Sequence, residues 1–96
     1  MATEFKELLA DQLKDPEFRA EWDALQPTMA LVQAMIDARR STGLTQKQLA
    51  QKTGIAQSDI SKFETGGGNP SLKTLQRLAA GMGMVLHIEF LPMVDN

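Results

Sequence analysis

Gln57, Ser58, Ser61 and Lys62 fall within one short amphipathic run. On a helix they share one side and leave Ile60 and Phe63 on the other. Their amide, hydroxyl and ammonium groups donate and accept hydrogen bonds. A glutamine amide pairs bidentately with adenine N6 and N7, and a lysine donates to guanine O6 and N7, each contributing about 1 to 3 kcal/mol of discrimination. The chemistry such a face can do is to read base edges. Catalysis has little support elsewhere. The chain has no cysteine and one histidine, which removes disulfides, thiolate metal sites and cysteine nucleophiles together. His87 stands two residues from Glu89 on an expected strand and reads as a solvated face. Asp11, Asp15, Glu17 and Glu21 follow helix spacing and cap positions rather than a metal-ligand pattern. Gly66 to Gly68 neither follows a strand nor precedes a lysine–serine pair, so it is no phosphate cradle. No enzyme activity and no cofactor are expected.

A base-reading face needs an element to present it. Thr45 and Gln48 have the spacing of a capping box, which starts a helix at Gln46 that runs to about Lys52. Gly54 supplies the left-handed turn that ends it. The next helix spans about Gln57 to Glu64, with Ala56 a poor N-cap. Leu49, Thr53, Ile55, Ile60 and Phe63 would form the shared interior, and small Ala50 permits close approach. These are the demands of a helix-turn-helix over residues 45–64, whose second helix lies in the major groove. The alternative is an ordinary corner between two helices of a small bundle.

Around this unit, Phe5, Leu8, Leu9 and Leu13 predict a helix over residues 3–14. Asp15 caps the following one, with Pro16 at its first position, and Phe18, Trp22 and Leu25 share a face. Gln26-Pro27-Thr28 reads as a break and linker, after which Met29, Val32, Met35 and Ile36 turn inward on a longer helix that Gly43 stops. Ser71 caps a helix with Leu72, Leu75, Leu78, Ala79 and Met82 on its core face. From Met84 to Leu91 the pattern alternates, predicting a strand that ends at Pro92. With no second strand in the chain, it must pair elsewhere, dock on its own core or fray. The domain organisation is an acidic helical segment over 1–27, a helix-turn-helix domain over 28–83 and a strand and tail over 84–96.

Ninety-six residues with 43 % hydrophobic and 23 % charged content describe one small folding domain. No apolar run approaches the ~20 residues of a membrane span, and the acidic start does not read as a signal peptide, so a cytoplasmic, membrane-free protein is expected. The net charge of −2 hides an asymmetry. Residues 1–26 hold seven acids and three bases, whereas residues 27–77 hold seven bases and three acids. Such a division fits one part meeting an anion and another a cationic partner; solvated helix faces are the alternative.

The run GLTQKQLAQKTGIAQSDISKFETG, followed by NPSLKTLQRLA, closely resembles the helix-turn-helix domain of the Cro and Xre repressor family. Together with FKELLADQLKDPEFRAEWDAL and GMVLHIEF, the chain resembles the HigA-type antitoxins of bacterial type II toxin–antitoxin pairs. The resemblance implies a mainly α, lambda-repressor-like bundle that binds operator DNA as a dimer, represses its own operon and neutralises an RNase-type toxin; a repressor without a toxin partner is the other reading. It places phosphate contact at Gln46 and around Thr65, and base reading at Gln57, Ser58 and Lys62, with Ser61 on the same face. Arg39, Arg40, Lys47 and Lys73 would add sequence-independent phosphate attraction. The strand would join two copies through Leu86, Ile88 and Phe90. Phe5, Phe18 and Trp22 would anchor the basic toxin or else cap the domain's own core. Two departures from the family stand out: Phe63 where leucine is usual, and the triple glycine in place of an asparagine-containing loop.

Overall fold

The computed structural model describes residues 2–93 of the chain. Five helices follow one another: α1 (Ala2–Gln12), α2 (Pro16–Ser41), α3 (Gln46–Thr53), α4 (Gln57–Glu64) and α5 (Leu72–Gly81). Their starts lie where the local chemistry puts them. The Asp15 carboxylate accepts from the Glu17 N–H to cap α2, Thr45 and Gln48 close a reciprocal capping box on α3, and Ser71 accepts from the Thr74 N–H at α5. α4 starts at Ala56 with no side-chain cap.

The core sits where α3 packs on α4 and α5 and α4 packs on α2. Met35, Leu49, Ile55, Ile60 and Leu78 are buried there, with Leu31, Leu44, Ala50, Phe63, Leu75 and Met82 packed around them. Ile60 and Leu49 are each 2 % exposed, so the two helices of the motif share one interior. Met29 and Leu72, expected inward, are half or more exposed, because each lies on a first turn or outer stretch that no neighbouring helix covers. The two departures from the family pattern fit each other: the Phe63 ring lies where a Cβ on Gly68 would stand, 2.6 Å away.

One sequence expectation is corrected and another is not met. α2 does not end at Pro27 but runs through it. A proline inside a helix removes one hydrogen bond and costs about 3 kcal/mol. The residues from Asp23 to Ala30 are exposed, so water can reach the carbonyl left without its donor, and the bias of Gln26 away from helical angles is overridden. The strand expected over residues 84–91 is not seen in the single chain. Among the described residues there is no strand, and 84–93 is irregular. The alternating pattern is present, but a ladder needs a second strand, and none stands among the described residues.

Candidate nucleic-acid interface

α3 and α4 meet through the turn Gly54-Ile55-Ala56, where Gly54 takes the left-handed conformation (φ 74°) and its N–H returns to the Ala50 carbonyl. Gln57, Ser58 and Lys62 are exposed on α4, as is Asp59. Ser61 is half-buried, which leaves it at the margin of the face rather than in it. An apolar underside and a polar, solvent-facing upper side thus belong to the same eight residues.

Beneath this face lies a polar cluster that the sequence reading did not find. Arg39 Nε and Nη2 donate to the two carboxylate oxygens of Glu64 at 2.7 and 2.8 Å, and Arg39 Nη1 donates to the Leu44 carbonyl at 3.0 Å. Gln46 Nε2 adds a bond to Glu64 Oε1 at 3.1 Å. The side chains of Arg39 and Glu64 are only 13 % and 6 % exposed. The Arg39 guanidinium, helped by the Gln46 amide, holds the Glu64 carboxyl below the usual carboxylate range despite its burial, and the same bond raises Arg39. The ion pair therefore ties the end of α2 to the end of α4, and the Gln46 amide joins the start of α3 to the same carboxylate.

This cluster revises the expected phosphate contacts. Arg39 gives three of its five N–H donors to Glu64 and Leu44 and is largely buried, so its charge is spent chiefly inside the chain. Gln46 is half-buried and keeps a second amide N–H beyond the one given to Glu64. Thr65 is exposed, but its hydroxyl donates to the Ser61 and Lys62 carbonyls at 3.1 Å each, which closes the end of α4 rather than reaching outward. Arg40, Lys47 and Lys73 are exposed, the last two in the first turns of α3 and α5.

The remaining expected sites lie elsewhere. Phe18 and Trp22 stack on α2 with ring centroids 6.4 Å apart, each half-buried, and Phe5 on α1 is 63 % exposed. Ile88 and Phe90 stand out from the tail, and Leu86 is half-buried. His87 and Glu89 bond each other at 3.3 Å on an exposed stretch. No helix among the described residues is long and apolar enough to cross a membrane.

A capped helix, a tight glycine turn and a second helix with a polar outer face, braced from below by a third element, define a helix-turn-helix DNA-binding fold. The chain belongs to the helix-turn-helix family, whose model matches residues 35–87. Over 60 residues it is 40 % identical to an uncharacterised HTH-type transcriptional regulator of Haemophilus influenzae, covering 62 % of this chain and 61 % of that protein. Over 74 residues it is 32 % identical to antitoxin HigA1 of Mycobacterium tuberculosis, covering 77 % of this chain and 50 % of that protein. The chain thus spans less than two thirds of the length of either curated relative. A solved chain described as a toxin–antitoxin module from Streptococcus pneumoniae matches with a TM-score of 0.52 and 30 % identity, over 90 % of this chain and 91 % of that one.

Proposed function

We propose that this protein is a sequence-specific DNA-binding antitoxin that represses its own operon as a dimer and neutralises a cognate RNase-type toxin. The observation that carries the DNA half is the α4 face. Gln57, Ser58 and Lys62 are exposed on a helix whose other side holds the most deeply buried residue of the core, Ile60. In this reading Gln57 pairs with adenine, Lys62 donates to guanine, and Ser58 bonds either. Gln46, Arg40, Lys47 and Lys73 meet phosphates.

The toxin half draws support from the extent of the likeness. The helix-turn-helix model stops short of residues 1–34, whereas the toxin–antitoxin chain matches 90 % of this one and so includes much of the N-terminal segment. That segment is acidic and carries Phe5, Phe18 and Trp22, a composition suited to the cationic surface of an RNA-cleaving protein. The second reading, a repressor without a toxin, is favoured by relatives such as the Haemophilus regulator, whose match is confined to 60 residues. Co-purification from the native host separates the two: a small basic ribonuclease held in stable complex is expected, and its absence selects the repressor alone.

One recognition helix spans few base pairs, so two-fold pairing is part of the proposal. The tail offers the means. Among the described residues its backbone over 85–93 has no ladder partner, and Phe90 is fully exposed, so residues 84–91 are proposed to pair antiparallel with the same segment of a second copy. Light scattering at micromolar concentration is expected to give twice the 10.6 kDa chain mass, and Ile88→Asp with Phe90→Asp to halve it; a monomeric wild type would refute the pairing. Lys47→Ala is expected to weaken operator and random DNA alike and to lower the salt slope by about one. Titration at several salt concentrations checks this.

A further inference from the structure

α4 starts without a cap, yet the direction of its first turn decides where Gln57 and Ser58 point. Ala56 offers no side-chain acceptor to the free N–H groups of that turn. The connection is held instead through Thr53, the last residue of α3. Its hydroxyl donates to the Leu49 carbonyl at 2.8 Å and accepts from the Ile55 N–H at 3.2 Å. Its own carbonyl accepts a hydrogen bond from Arg77 Nη2, on α5, at 2.5 Å. One helical turn further along α5, Gly81 lies so close to Thr53 that a Cβ would meet its methyl carbon at 2.5 Å. Positions four apart share a helix face, so α5 grips the same residue twice. A cation at the C-terminal end of α3 also suits the helix dipole.

We infer that Arg77 is a positioning residue for operator recognition: its hydrogen bond to the Thr53 carbonyl sets the angle at which α4 presents Gln57 and Ser58 to the bases. The inference rests on the base-reading role proposed above for α4. Arg77 is exposed and cationic, so the competing role is a plain phosphate contact. The two differ in what they do to specificity. A misaligned recognition helix loses base contacts and keeps phosphate attraction, whereas a lost phosphate contact weakens every DNA by the same factor.

The test uses the full chain as wild type, Arg77→Lys and Arg77→Met, titrated on random DNA and on an operator selected from a random library, across a range of salt. Amide hydrogen exchange is followed at Ile55 and Asp59. Lysine keeps a donor on a stem of similar length, so Arg77→Lys is expected to hold the operator-to-random ratio within about twofold. Methionine keeps the stem without the donor, so Arg77→Met is expected to lower that ratio about tenfold and to speed exchange at Ile55. Equal loss on both DNAs with a salt slope reduced by about one would assign Arg77 to phosphate and overturn the inference. So would an unchanged ratio, unchanged exchange at Ile55, or a ratio lost in Arg77→Lys as fully as in Arg77→Met. A wild type with no operator preference would sink the base-reading role itself and this inference with it; preference kept by both wild type and Arg77→Met would sink the Arg77 role alone.

Discussion

Glu64→Ala is expected to lower folding stability by about 3 to 5 kcal/mol, because it leaves the Arg39 guanidinium buried without its counter-charge. Domains of this size hold about 5 to 15 kcal/mol in total, so the loss is a large part of the whole. Arg39 would keep only the Leu44 carbonyl, and Gln46 would lose its acceptor. Removing both charges together, as Arg39→Met with Glu64→Leu, is expected to restore most of the stability, since an apolar pair of similar volume has no ion to desolvate. Urea unfolding of the wild type and the two variants checks this, and equal losses in the single and double variants would mean that packing rather than charge is at stake.

The same pair predicts an acid limb. The Glu64 carboxyl is held below its usual range in the folded chain. It therefore binds a proton less readily folded than unfolded. Its contribution to stability is present above the unfolded value, about 4.3, and disappears as pH falls through the lower folded one. The expected result is a steeper loss below about pH 4 in wild type than in the double variant, read from melting temperature against pH.

The second large effect concerns the N-terminal segment. Replacing Phe5, Phe18 and Trp22 together by alanine is expected to weaken binding of the co-purifying toxin by at least about a hundredfold, since buried aromatic anchors commonly contribute about 2 kcal/mol or more each. Operator affinity is expected to stay within about twofold, because none of the three residues belongs to the core cluster beneath α3 and α4. Calorimetric titration with toxin and gel shift with operator measure the two separately. Loss of operator binding with toxin binding intact would reverse the assignment and make these aromatics a cap on the domain's own fold.

The helix-turn-helix was legible because each of its parts is local. Thr45 with Gln48, Gly54, and the spacing of Leu49, Ile55 and Ile60 specify a cap, a turn and a shared interior within twenty residues. Pro27 misled because a local preference against helix was weighed without the long exposed helix that absorbs it. The alternation over residues 84–91 describes what a strand needs, and no second strand stands among the described residues to complete it. The Arg39–Glu64–Gln46 cluster and the Arg77–Thr53 bond were not legible at all. Their partners lie 18 to 25 residues apart in sequence, and no periodicity connects them. In the sequence Glu64 and Arg39 are two opposite charges 25 residues apart, and only the packing of α2 against α4 brings them together.

The central claim is that the outer face of α4 reads nucleobases, and Gln57→Ala tests it most directly. Affinity for a selected operator and for random DNA is measured across salt for wild type and variant. The expected result is a loss of about 1 to 3 kcal/mol on the operator, an unchanged affinity for random DNA and an unaltered salt slope. Equal losses on both DNAs would contradict it.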